Sequence, residues 1–165
     1  MSGTNTIAAG GGTMKWLLAD VPGNLYIRPF GYPDLQVDEG LNDSDKTITV
    51  PAGEEWVVKW IWVELVSDAN AGNRNIEIQI QDDAADVIAR IAAGIVQAAS
   101  VTRYYLFAPN VTELTTFRDT DKLSIIMPEW ILPAGYVIRI WDNKAIAAGT
   151  DDMIVQCMTW VREIS

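Results

Sequence analysis

Hydrophobic and polar residues alternate with a period of two along most of the chain after Thr47, and this pattern predicts β-strands. Residues 74–81 alternate most regularly. Their pattern predicts a dry face of three isoleucines and a wet face of four polar residues: Ile76, Ile78 and Ile80 against Asn75, Glu77, Gln79 and Gln81. On this register, Ile78→Asp unfolds the domain and Glu77→Ala is nearly silent.

The segment 54–66 is apolar at almost every position. Strict alternation places the tryptophans on one face and aliphatic residues on the other: Trp56, Val58, Trp60 and Trp62 against Val57, Ile61, Val63 and Leu65. In a two-sheet sandwich only one face of each strand is buried in the core. The second apolar face of this strand must therefore be covered by another subunit or protein. An alternative is that the rings stack on a sugar. Core and subunit contact is favoured, because Val58 lies among the rings and no polar side chain there can bind a hydroxyl.

Two Pro-Ala-Gly sequences, at 51–53 and 133–135, predict tight corners, because proline fixes φ and glycine allows the chain to reverse. Turn-forming residues separate further predicted strands at 87–91, 101–107, 112–117, 123–127, 136–141 and 153–162. Residues 92–100 fit a short helical turn or a loop. The predicted fold class is all-β, an antiparallel two-sheet sandwich that is jelly-roll-like, with an immunoglobulin-like sandwich as the alternative.

The chain divides into three predicted segments. Residues 1–13 are uncharged and rich in Gly, Thr and Ala, and they predict a flexible N-terminal arm. Residues 14–46 contain repeated Pro and Gly and predict an extended segment with short edge strands, followed by the sandwich domain at 47–165. No secretory signal or bilayer-length apolar run stands out, so we expect a soluble protein made in the cytoplasm.

The net charge and the amino-acid composition make several classes of function improbable. The formal net charge of −10 opposes binding to nucleic acid and to anionic membranes. The chain has no histidine, which removes the commonest general base and the main nitrogen ligand for zinc. Carboxylates near strands remain available for glycoside hydrolysis: Glu55, Glu64, Glu77, Glu129 and Asp142. Such residues are mostly solvated, so we expect no enzyme activity and no cofactor.

Other acidic residues and the cysteine have simpler interpretations. One acidic segment offers oxygen ligands for Ca²⁺, but its spacing does not match an EF-hand and favours a solvated loop: Asp34, Asp38, Glu39, Asp43 and Asp45. A second group is interpreted as turn residues that bond nearby backbone: Asp82, Asp83, Asp86, Asp151 and Asp152. Cys157 lies in an apolar run and is interpreted as a small buried hydrophobe.

Four sequences within 47–165 carry a family resemblance. They are Val50-Pro51-Ala52-Gly53 before a tryptophan-bearing strand, Tyr104-Tyr105-Leu106-Phe107-Ala108-Pro109, Leu132-Pro133-Ala134-Gly135, and the closing Trp160-Val161-Arg162. In these features the chain resembles the jelly-roll capsid decoration (cement) proteins of tailed bacteriophages. The resemblance implies a non-enzymatic virion structural protein on the outside of a phage head. It also implies a homo-oligomer, most simply a trimer, whose partner is the major capsid protein.

The candidate oligomer or capsid interface consists of large aromatic residues: Trp56, Trp60, Trp62, Trp16, Tyr26 and Phe30. The arm at 1–13 is expected to be dispensable for folding but required for full capsid affinity. The rival function, from a different class, is a carbohydrate- or receptor-binding module of a phage tail or head fibre. In that case the tryptophans are exposed to a ligand rather than to a subunit.

Overall fold

The computed structural model describes residues 15–19, 25–29, 31–40, 44–112, 121–144 and 150–164, and within these ranges the regular structure is almost entirely β. The strands are β1 (Lys15–Ala19), β2 (Leu25–Pro29), β3 (Tyr32–Asp38), β4 (Asp45–Thr49), β5 (Glu54–Val66), β6 (Ile76–Gln81), β7 (Val87–Ala92), β8 (Thr102–Ala108), β9 (Lys122–Ile126), β10 (Trp130–Pro133), β11 (Val137–Asp142) and β12 (Asp152–Glu163). The predicted all-β sandwich is confirmed. The described residues contain no helix long and apolar enough to cross a membrane.

Two sheets form the sandwich. The larger sheet has the order β3-β12-β5-β8-β9, with β10 paired to the first part of β5, and the smaller sheet has the order β4-β11-β6-β7. Strands β1 and β2 pair with each other in a separate two-stranded sheet. The pairs are antiparallel except that β8 and β9 run parallel, which departs from the fully antiparallel sandwich predicted.

The core fills the space between the two sheets, where long apolar strands face each other. β5 and β12 pair over twelve positions along the centre of the larger sheet, and β6 and β11 supply the facing isoleucines. Ile76, Ile78 and Ile80 are at most 1% exposed, so the dry face predicted for this strand is confirmed. Cys157 is also buried, as predicted, and burial raises the pKa of its thiol to about 12.

The two Pro-Ala-Gly sequences form the same turn and lie side by side. In each, the amide N–H three residues after the proline donates to the proline carbonyl, and glycine has a positive φ of 81° at Gly53 and 86° at Gly135. A type II turn requires this conformation at its third position, and glycine adopts it without strain. Backbone bonds from Val50 N–H to the Tyr136 carbonyl and from Gly135 N–H to the Val50 carbonyl join the two turns.

Most predicted strands are present with ends shifted by one or two residues, and 54–66 is matched end to end by β5. β3 carries Pro33 and lies at a sheet edge, where a strand tolerates proline. Ala92 ends β7, and residues 93–100 form a loop, which is one of the two predicted alternatives. Strand β10 was not predicted. The predicted strand at 112–117 falls almost wholly, and the arm at 1–13 entirely, outside the described residues.

Candidate protein-binding face

A β-bulge at Lys59 decides which way the tryptophans of β5 point. On β12, Thr159 lies opposite Val58 and the adjacent Met158 lies opposite Trp60, so Lys59 is an extra residue on β5. A bulge inserts one residue and reverses the face of every side chain beyond it, relative to strict alternation. The bulge lies between the part of β5 paired to β10 and the part paired to β8.

The prediction that Trp56, Trp60 and Trp62 share a face is therefore wrong. Trp56 is 1% exposed and belongs to the core with Val58, whereas beyond the bulge the core positions pass to Ile61, Val63 and Leu65. Trp60 and Trp62 lie half-buried on the outward face. Trp56 is accordingly a core residue and not an interface residue.

The outward face of the larger sheet is apolar across three successive rows of residues. The first row is Pro33, Trp160, Val57 and Ile131; the second is Leu35, Met158 and Trp60; the third is Val37, Gln156, Trp62, Leu106 and Ser124. We call these three rows the tryptophan face. The rows contain no charged side chain, although the whole chain has a net charge of −10. Several members are well exposed, among them Ile131 at 57% and Val37 at 47%.

A shallow depression lies at the centre of the tryptophan face. Its volume is about 500 Å³, and its lining is almost entirely apolar: Trp60, Trp62, Leu106, Ala108, Val111 and Gln156. The rings of Trp62 and Tyr104 stack with centroids 6.0 Å apart and planes 24° from parallel, and the Lys122 ammonium lies 6.0 Å from the Tyr104 centroid. The stacking fixes one wall of the depression, which can accept an apolar side chain from another protein.

Charged residues lie at the bulge, between the first and second rows, and at the edges of this face. Lys59 at the bulge pairs with Glu129 at 2.6 Å, and Arg162 pairs with Glu55 at 2.9 Å. Glu64 follows Trp62 on the same face of β5, opposite Tyr104. A largely apolar surface with paired charges beside it is a composition found in protein interfaces.

The other predicted interface residues precede this face in the chain. Trp16 lies on β1 opposite Arg28, and Tyr26 lies on β2 opposite Leu18. Phe30 lies outside the described residues. Only Gly31 of the connection to β3 is described, and it is buried against the outward-facing Trp160: a Cβ added at Gly31 would collide with the indole nitrogen.

The acidic residues between positions 34 and 45 do not form one site, because the described aspartates contact different side chains. Asp38 pairs with the buried Lys46 at 3.3 Å across the edge between the sheets, and Asp45 forms a double hydrogen bond with Arg139 at 2.8 and 2.5 Å. Asp34 accepts a bond from Gln36. These three residues lie on strands β3 and β4, so the predicted single solvated loop is wrong for them, and Asp43 lies outside the described residues. Within the described ranges no group of three metal-ligating side chains comes together.

The predicted wet face of β6 is buried. Glu77 is 1% exposed and Gln79 is 7% exposed, so the expectation of a solvated Glu77 is wrong. The Glu77 carboxylate accepts hydrogen bonds from Gln79 at 2.7 Å and Asn143 at 2.8 Å, and the Arg90 guanidinium lies 3.5 Å away. Burial opposes ionisation, but these donors outweigh it and lower the pKa of Glu77. Long polar side chains thus cover the smaller sheet's outward face, including Arg139 stacked over Trp141 at 4.3 Å.

A buried ionic cluster at one end of the sandwich was not predicted from the sequence. Arg74 is fully buried and donates to Asp151, Asp68 and the carbonyls of Asn70 and Gly72. Asp151 was interpreted as a turn residue that bonds nearby backbone. Instead it is fully buried and accepts from Arg74 and from the backbone N–H of Asp68, 83 residues earlier in the chain. Asp82 does behave as predicted, accepting from the backbone N–H groups of Ala84 and Asp86.

Comparison with known proteins gives a structural similarity but no family. No family model and no curated protein matches this chain. Among solved structures, the chain is similar to one from "Structure of infectious bursal disease virus Gx strain", at 9% identity and a TM-score of 0.28, over 89% of this chain and 35% of that one. This chain spans about a third of the length of the viral chain it matches.

Proposed function

We propose that this chain is a non-enzymatic virion structural protein, a decoration or cement protein that binds the outside of a bacteriophage head as a homotrimer. The partners in this proposal are other copies of the chain and the major capsid protein. The observation that carries the proposal is the tryptophan face, three uncharged rows on a chain that is otherwise strongly acidic. An exposed apolar surface with these properties favours contact with protein over contact with solvent.

The proposed mechanism is mechanical. An oligomer bound across a junction between capsid subunits adds buried interface that exists only in the assembled shell. Binding to one state stabilises that state by mass action, and several linked contacts raise the overall affinity. Acidic charge keeps free copies apart and away from packaged DNA.

The fixed partners of the candidate carboxylates support a non-enzymatic role. Glu77 is held by Gln79 and Asn143, Glu55 by Arg162 and Glu129 by Lys59. Asp142 is 7% exposed and accepts from the backbone N–H groups of Asn75 and Lys144. Each of these groups already has a structural partner, whereas a glycosidase requires a pair of carboxyl groups facing a substrate.

The test measures the temperature at which heads lacking this protein release their DNA, with and without added protein. We expect added protein to raise that temperature. Thr47→Ser, an exposed change on the smaller sheet, serves as the matched control and should act like the unchanged protein. If saturating protein leaves the release temperature unchanged, the cement function is wrong. A glycan array run in parallel tests the rival: sugar binding that is lost in Trp60→Ala or Trp62→Ala would favour the receptor-binding module.

A further inference from the structure

We propose that two copies of the chain join through β7, which pairs antiparallel with β7 of a second copy and extends the smaller sheet across a two-fold axis. The tryptophan face belongs to the larger sheet, so this contact is separate from it. The inference goes beyond the proposed function and does not depend on it.

Strand β7 is an edge of the smaller sheet. It ends the order β4-β11-β6-β7 and pairs with β6 and with no other described strand. In an antiparallel pair, residues alternate between bonding the neighbouring strand and directing their N–H and C=O groups away from it. The Ala93 N–H donates to the Ile76 carbonyl, so in this register the backbone groups of Arg90 and Ala92 are directed away from β6. These groups can bind another strand.

The sequence of β7 does little to protect this edge. Proteins commonly blunt an edge strand with proline or charged side chains, and β3 carries Pro33 and Asp34 at its own edge. β7 reads Val-Ile-Ala-Arg-Ile-Ala and contains no proline and no carboxylate. Its bulge lies at Ile88, so residues 89–92 pair regularly with β6. An open, regular edge of this kind favours the addition of a strand.

Large apolar side chains along this edge are exposed. Val87 and Ile88, at the start of β7, are 49% and 54% exposed, and Val96, beyond its end, is 45% exposed. The segment after β7 stays on the same edge, because Gln97 exchanges backbone hydrogen bonds with Arg74. An antiparallel copy brings the start of one strand beside the end of the other. The exposed apolar residues at the two ends are then removed from water together.

One register satisfies the outward backbone groups of both copies. With Ile91 on the two-fold axis, Arg90 of each copy lies opposite Ala92 of the other, and both residues exchange their N–H and C=O bonds. Ile91 is half-buried against the core and lies beside its own counterpart at the closer, non-hydrogen-bonded spacing. The contact therefore uses the same segment on both sides, as a two-fold interface requires.

The charges also favour a second copy of this strand. Arg90 is the only charged residue of β7, on a chain whose net charge is −10. Ala92 lies opposite Glu77 on the outward face of the sheet, so the second copy's Arg90 enters the row that contains the Glu77 carboxylate. Each copy supplies a cation to the row in which the other has an anion.

The experiment oxidises the full-length Ile91→Cys variant and measures disulfide-linked dimer. A non-hydrogen-bonded antiparallel pair has its Cα atoms about 4.5 Å apart, a separation that a disulfide spans. Ala89→Cys, on the same face of β7, is the matched control, because in this register its two copies lie about 13 Å apart along the strands. Cys157 is buried and gives little background.

We expect about tenfold or more dimer from Ile91→Cys than from Ala89→Cys, because only the first pair meets the geometry of a disulfide. Equal yields from the two variants would overturn the inference.

A second pair of variants tests the edge without cysteine. Ala92→Pro removes the outward N–H and leaves the bonds to β6 in place, whereas Ala92→Ser keeps that N–H. Light scattering should show a smaller mass for Ala92→Pro and the parent's mass for Ala92→Ser. If Ala92→Pro still unfolds cooperatively and keeps the parent's mass at the same concentration, the inference is wrong. A parent protein that is monomeric would overturn it equally.

Discussion

Arg74 and Asp151 form a doubly hydrogen-bonded ion pair in which neither side chain is exposed, with Nε–Oδ2 at 2.8 Å and Nη2–Oδ1 at 3.0 Å. The remaining guanidinium N–H groups reach Asp68 and two loop carbonyls, and the hydrogen bond to Asp151 raises the pKa of Arg74 further. The pair ties the loop between β5 and β6 to Asp151, the residue immediately before β12. Because both charges are satisfied internally, the loop is fixed at one end of the sandwich.

Asp151→Asn is expected to destabilise the fold by about 1.5–3 kcal/mol, because it removes the charge from the buried double hydrogen bond and leaves Asp68 as the only carboxylate partner of Arg74 among the described contacts. Urea unfolding followed by tryptophan fluorescence at pH 7 measures the change. Asp83→Asn, an exposed change in the turn between β6 and β7, is the control and should cost less than about 1 kcal/mol. A cost for Asp151→Asn as small as for the control would show that the buried pair contributes little.

Asp142→Asn is expected to have the opposite outcome. Burial raises the pKa of Asp142, and its Oδ2 has no hydrogen-bond partner. The folded state therefore holds this proton more tightly than the unfolded state. The stability it contributes is complete below the unfolded pKa, near 3.9, and is lost as the pH rises through the folded value.

Asparagine keeps the acceptor for Asn75 and Lys144 and removes the buried charge. The variant should match or exceed the parent's stability at pH 7 and lose that advantage at pH 3. A loss of stability at pH 7 would contradict the argument.

Ile78 and Glu77 test the two faces of β6. Ile78→Asp should abolish cooperative unfolding, because an unpaired carboxylate would lie in the core, whereas Ile78→Val should cost about 0.5–1.5 kcal/mol. Glu77→Ala should cost about 1–3 kcal/mol, because Gln79 and Asn143 lose their acceptor. Since the pKa of Glu77 is lowered, this cost should shrink as the pH falls through the folded value. Calorimetry at pH 7 and pH 3 measures the stability of both sets of variants. If Glu77→Ala leaves the stability unchanged, Glu77 is solvent-exposed, as the sequence pattern predicted.

The sequence predicted the fold because burial dominates the pattern of the central strands. Ile76, Ile78 and Ile80 alternate with polar residues and are buried, as predicted. The alternation of polar and apolar residues does not predict burial at Glu77, because other long side chains cover this polar residue. The pattern shows which residues are polar but not which of them neighbouring side chains bury. It also fails at Lys59, because nothing in the local sequence marks a bulge that depends on the partner strand. The Arg74–Asp151 pair joins residues 77 positions apart, so spacing cannot reveal it.

Trp56 and Trp62 should respond differently to the same substitution. Trp56→Ala empties a core position and should cost about 3–5 kcal/mol. Trp62→Ala removes a wall of the surface depression and should leave the monomer folded but weaken self-association. Thermal unfolding measures the change in stability. Light scattering measures the mass of the oligomer, which is compared with 18.2 kDa for a single chain. Equal losses of stability at both sites would place both rings in the core.

Deletion of Lys59 is the sharpest test of the bulge. Without Lys59, Val58 and Trp60 become neighbours and still face Thr159 and Met158, so β5 gains a regular ladder with every side chain on its present face. The deletion loses the Lys59–Glu129 pair and the local bend, and it should cost about 1–3 kcal/mol. Deletion of Val63 is the matched control, because it reverses the faces of Glu64 and Leu65 and should prevent folding. The two proteins are compared by circular dichroism and cooperative unfolding. If they are equally unfolded, Lys59 is required in the strand and the assigned bulge is wrong.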